Sequence, residues 1–128
     1  MFILESSLDG AAPVIEQAIM TDAEAGAYGE LVVFSSGRLT KCGATALPIG
    51  ILVQTTGAGT DVGTEFLRIR DDAVYLADFT GTDPVVGTLV YQIDATGLLV
   101  NGAQATGGKV RIVSVNGAKD KCRVMFTV

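Results

Sequence analysis

Chemistry at neutral pH draws on a short set of side chains, and this chain lacks the most versatile of them. Its 128 residues include no histidine. That removes the commonest general base, the usual zinc ligand and every Ser-His or Cys-His dyad. The closest carboxylates are Asp71-Asp72, with Asp78 and Asp83 further on. A glycosidase holds two carboxyls about 5–10 Å apart across a cleft, one with a raised pKa. Adjacent aspartates in a tight turn point apart and stay hydrated, so catalysis is not expected there. Asp94-Ala95-Thr96-Gly97 lacks the spaced ligands and closing Glu of a calcium loop. Gly102 to Val110 is a poor phosphate loop: Lys109 falls one position late, Val110 replaces the hydroxyl residue, and a strand follows. Gly57 to Gly63 has no helix N-terminus behind it to hold a pyrophosphate. A swinging-arm carrier needs a Lys in its midpoint turn, and the turn at Asp71-Asp72 has none. No catalytic, cofactor or metal site is expected.

Cys42 and Cys122 stand far apart, with no CxxC spacing and no histidine to complete a zinc site. Both read as reduced, small apolar residues. A bridge between them has no support in the sequence.

The elements around these residues are strands. Leu31 to Phe34 and Ile49 to Gln54 are continuous apolar runs, suited to strands covered on both faces. Leu67 and Ile69 alternate with Arg68 and Arg70. Cys122, Val124, Phe126 and Val128 alternate with Arg123, Met125 and Thr127, the period-two spacing of a half-buried strand. Asp71-Asp72 makes a turn and Ala73 to Ala77 returns. Val14 to Met20 admits a helix begun at Pro13 or a strand; the short run, soon stopped by Gly26, favours a strand. Met1 to Ala12 carries Phe2-Ile3-Leu4 and then polar residues up to Pro13. It reads as an extended arm, with a frayed terminus or an edge strand of the same barrel as the alternatives. The expected organisation is an arm over 1–12 and a single all-β domain over 13–128.

Two stretches share one plan. Gly29-Glu30-Leu31-Val32 is followed by Gly37-Arg38-Leu39, and Gly87-Thr88-Leu89-Val90 by Gly97-Leu98-Leu99. An apolar run follows each: Pro48 to Val53, then Lys109 to Val113. A unit used twice implies a pseudo-repetitive β fold, and recurrent short strands between Gly turns match small closed or sandwiched architectures.

Composition narrows the partners. A chain this long buries roughly two-thirds of its unfolded surface and needs no staple. Charged residues make up 18% and the net charge is −5. So low a charged fraction hints at surface hidden in a partner or in further copies of the chain. The nine cations form no run, which disfavours nucleic acid and anionic membranes. No apolar stretch approaches a bilayer span, and the start has no basic signal region, so a soluble chain made in a cytoplasm is expected. Arg68, Arg70 and Arg111 sit on strands beside apolar neighbours. They are candidates for pairing across a subunit boundary, or else ordinary solvated strand faces.

The run Glu16-Gln17-Ala18-Ile19, Gly29-x-Leu31-Val32, Leu39-Thr40-Lys41 and Pro48-Ile49-Gly50-Ile51 resembles the opening of tailed-bacteriophage capsid decoration (cement) proteins. The likeness is clearest over Glu16 to Val53; later it rests on Gly87-Thr88-Leu89-Val90-Tyr91 and the closing strand. The resemblance implies a β-barrel or β-tulip domain, assembled as a homotrimer on the outside of a virion head, bridging major capsid protein subunits. On that reading Phe2, Ile3, Leu4 and Leu8 anchor the arm to the shell. Each subunit contact in the trimer would bury at least about 1,000 Å². A tail- or fibre-associated virion domain has the same composition. A small-molecule or glycan-binding domain would need an aromatic platform in a cleft.

Overall fold

The computed structural model describes residues 1–7 and 13–127, residue 7 by its backbone alone. Among the described residues there is no α-helix. The strands are β1 (Phe2–Ser7), β2 (Ile15–Ile19), β3 (Leu31–Ser35), β4 (Arg38–Lys41), β5 (Gly50–Leu52), β6 (Gly63–Arg68), β7 (Ala73–Thr80), β8 (Gln92–Ile93), β9 (Leu99–Asn101), β10 (Val110–Asn116) and β11 (Lys121–Phe126). A 3-10 turn, Gly117–Lys119, joins the last two. The all-β expectation holds, and Ile15–Ile19 resolves to a strand.

The strands make two sheets, and each curls back on itself. The first runs β2-β6-β5-β3-β4. A parallel bridge between Met20 and Leu39 brings its two ends together. In the second, β7 pairs β11, β11 pairs β10, β8 pairs β9, and β9 lies parallel to β7. Tyr91 and Val110 exchange two backbone hydrogen bonds, 2.8 and 3.1 Å, that join β8 to β10. Replace β2, β3, β4, β5 and β6 by β7, β8, β9, β10 and β11 and one ring becomes the other, with its one parallel contact in the same place. The hairpins keep register as well: Val32 opposes Lys41 and Gln92 opposes Asn101, each 60 positions on (32 to 92, 41 to 101). Their turns use Gly37 and Gly97 at φ +78° and +73°, a region an L side chain rarely enters.

The second ring departs from expectation at its start. The run Val85 to Ile93 reads as one strand, yet pairing begins only at Tyr91 and Gln92. The Tyr91 hydroxyl accepts the Val85 N–H at 2.9 Å, which holds this segment off the ladder. Gly108 sits where the ring closes. A Cβ there would lie far inside contact distance of the Tyr91 carbonyl, so the strands meet only because none exists.

Two cores follow from the two rings. Met20, Val32, Leu39, Leu52 and Phe66 fill the first. The larger core fills the second ring and takes Leu31, Ile51 and Leu67 from the opposite face of the first. The first ring's sheet is therefore apolar on both faces, which explains its unbroken apolar runs.

The arm expectation is corrected over residues 2–7. Phe2–Ser7 is β1, antiparallel to β7 from Phe2 opposite Ala77 to Ser7 opposite Ala73. Phe2 is 1% exposed, with its ring 5.9 Å from that of Phe126. An aromatic that completes the larger core is stabilised more by burial there than by contact with a distant partner. The rest of the expected arm, including Leu8, lies outside the described residues.

Candidate functional site

The residues singled out for chemistry are separated or engaged by the fold. Asp72 accepts two bonds from the Arg70 guanidinium, 2.9 and 2.8 Å. Asp78 accepts from Lys121 and from the N-terminal ammonium. Burial works to raise the Asp78 pKa, but these donors overcome it and leave the group below the ordinary carboxylate range. Cys42 and Cys122 are free and buried, and burial pushes both thiols up to about 11. Among the described residues no group of His, Cys, Asp and Glu could hold a metal ion, and no helix is long and apolar enough to cross a membrane.

The three arginines are not gathered into one patch. Arg68 grips Glu16 through two bonds, 2.6 and 2.9 Å, across the β2–β6 pair, with its guanidinium 5.7 Å from the Phe66 ring. The Arg68 bond holds the Glu16 carboxyl below its ordinary value. Arg70 lies just past β6 on Asp72. Arg111 stands on the outer face of β10, in the other ring, exposed and opposite Met125. Among the described residues it makes no ion pair. A fourth cation, Arg38, was not legible as a clamp. It donates to Asp22 and Asp61 at 3.1 and 2.5 Å and to the Met20 carbonyl, tying two loops to the end of β4.

One ionisable side chain is caught between the rings. Glu30 precedes β3 and is 3% exposed. Its Oε1 accepts the Ala27 N–H at 3.3 Å, while the buried Oε2 has no hydrogen-bond partner. The Lys41 ammonium stands 3.9 Å away. Burial raises the Glu30 pKa; Ala27 and Lys41 oppose the shift and Glu24 adds to it. Around this carboxyl the rings are joined by backbone bonds, Leu31 N–H to Gly97 at 2.9 Å and Ile93 N–H to Ala44 at 3.1 Å.

Apolar side chains also reach the surface. An open groove of about 230 Å³ runs between β1 and the outward face of the first ring. Ile3, Leu4, Ile15, Tyr28, Val53 and Leu67 line it. Ile15 is 49% exposed, and Ile3 and Tyr28 are exposed too. Of the four expected anchors, Ile3 and Leu4 therefore sit at a surface groove and Phe2 beneath it. A second apolar feature is the irregular segment before β8, where Val85 and Val86 are 58% and 56% exposed and Leu89 is exposed. Two larger open clefts, about 420 and 520 Å³, are lined partly by Gln17, Gln54 and Glu65 and by Arg70 and Asp72 respectively. The tyrosines form no platform, since Tyr75 and Tyr91 are buried. Nothing in the sequence marked Ile15 and Tyr28 as neighbours of Ile3. Val85-Val86 after Pro84 carried a signal, an apolar run with no alternation, and it read as a strand.

Compared with known proteins, the chain matches no family model and no curated sequence.

Proposed function

We propose that this chain is a structural virion protein that binds the outside of an assembled bacteriophage capsid, bridges major capsid subunits and associates with copies of itself as a trimer. It is not an enzyme on this reading. One observation carries the proposal: large apolar side chains are exposed at several places on a scaffold of two closed β rings, and they cluster at the β1 groove and along the Val85–Leu89 segment. Exposed apolar patches rimmed by polar residues mark docking surfaces. The likeness over Glu16 to Val53 to capsid decoration proteins supplies the partner.

Attachment works through surface, not through a free arm. Ile3 and Ile15 meet the shell or a neighbour, while Phe2 fixes β1 in place. Three copies held together engage the lattice at several points, so the second and third contacts form intramolecularly and strengthen binding without new chemistry. Binding therefore needs the assembled shell. Pelleting the chain with expanded, undecorated capsids tests this. The chain is expected in the pellet, and less of it after Ile3→Lys; a chain that stays in the supernatant sinks the proposal.

A further inference from the structure

Two surface features are left over once the rings are assembled, and each has what the other lacks. The first is a strand edge. Phe2 donates its N–H to Gly29 at 3.0 Å, on the side away from β7. In an antiparallel ladder the N–H and C=O of one residue share an edge, and the edge alternates along the chain. Leu4, two positions on and still in register, thus turns both groups outward with Phe2. No described residue takes them. The groove beside this edge continues the interface between the two rings, because Phe2, Ile51 and Leu67 belong both to the larger core and to the groove. The described residues that line it carry no charge. The site calls for an uncharged, extended, apolar segment.

The second feature is an uncharged, apolar segment that bends at Val86 to Thr88, with Gly87 at φ +145°, and would straighten on docking. Pro84 to Leu89 carries no charge and belongs to no strand. Extended, it places Val85, Gly87 and Leu89 on one side. The two valines and Leu89 are exposed in the single chain. We infer that Val85–Leu89 of a second copy lies in the β1 groove as an added strand, pairing with the Leu4 edge. The contact is heterologous, since each copy gives a segment and receives one, and such contacts close into rings or run on as filaments. This inference deepens the self-association half of the reading above and rests on it, but not on capsid binding. One added strand lies below the roughly 1,200 Å² of a standard interface, so a single contact is weak and ring closure does much of the holding.

Sedimentation of the purified chain tests it, with two single variants and their mixture. Wild type is expected to grow from monomer to a closed oligomer as concentration rises into the range of about 10–100 µM, where weak contacts populate. Ile15→Lys spoils the groove and Val85→Lys the segment; both sites are exposed, so the melting temperature should hold. Each variant alone should associate at least about tenfold more weakly, a loss of ~1.4 kcal/mol. Mixed, they retain one good groove and one good segment, and should stop at a dimer. Leu4 amide exchange should slow in the assembled wild type. Wild type that stays monomeric, variants that assemble normally, a mixture that gains no dimer, or unchanged Leu4 exchange would each overturn the inference. If Ile15→Lys melts early, Ile3→Lys takes its place. No shell is present, so a chain that rings but ignores capsids refutes only the capsid half of that reading, whereas a monomer that decorates shells refutes this inference and the self-association half and leaves the capsid half standing.

Discussion

Glu30→Gln should stabilise this protein at neutral pH and lose that advantage in acid. Glu30 is buried at the junction of the two rings with one carboxylate oxygen unpaired. A buried polar group without a partner costs about 1–3 kcal/mol, and more when charged. Lys41, 3.9 Å away and itself well exposed, recovers part of that. A neutral amide keeps the Ala27 hydrogen bond and removes the buried charge. The net gain should be about 1 kcal/mol near pH 8, or roughly 3–5 °C in Tm for a chain of this length. The pH dependence follows from the direction of the shift. The folded pKa lies above the ordinary 4.5, so folding favours the protonated acid. The stability this group contributes is full below about 4.5 and is lost as pH rises through the folded value. Glu16 and Asp78, held low, act in the opposite sense and lose their contribution as pH falls. The difference between Glu30→Gln and wild type isolates Glu30 from them. Denaturant melts of both proteins between about pH 4 and pH 8 should show a gap that opens with pH. A variant less stable at pH 8 would mean that the Lys41 attraction outweighs the burial cost. A gap independent of pH would mean that Glu30 does not titrate in the seam. Either result refutes the reasoning.

Other consequences follow from the packing. Phe2→Ala should cost about 3–5 kcal/mol in a denaturant melt, whereas Ile3→Lys should stay within about 0.5 kcal/mol; equal effects would restore a free arm. Leu52→Ala should cost about 2–5 kcal/mol, because the smaller core has few residues to close over the hole. Gly108→Ala should destabilise by more than an ordinary surface change and raise amide exchange at Tyr91 and Val110, where the second ring closes. Both thiols should resist a disulfide reagent at about pH 8 until the chain unfolds, since thiolate is the reactive form and burial keeps it scarce.

The sequence was most readable where one strand covers one core. Cys122, Val124 and Phe126 alternate with solvated neighbours because β11 has a single buried face, and the pattern survives in the structure. The hairpin plan was readable because Gly37 and Gly97 mark equivalent turns. Phe2-Ile3-Leu4 was not: three apolar residues in a row say nothing about whether the surface they cover is their own chain's. Val85 to Val90 misled for a related reason, since an apolar run becomes a strand only where a neighbouring edge is free. The ring closures at Met20–Leu39 and Tyr91–Val110 join residues 19 positions apart (20 to 39, 91 to 110), each through one bridge too short to leave a periodic trace. The groove lies further still from the sequence. It needs β1, β2, β5 and β6 together, and the Arg68–Glu16 clamp that ties β2 to β6 spans 52 residues.

Heat-driven DNA release from filled but undecorated phage heads, with and without the added chain, tests most directly whether this surface braces a shell. With the chain bound, release should move to higher temperature, and Ile3→Lys should reduce the gain. Release at the same temperature with saturating chain present would contradict the reading.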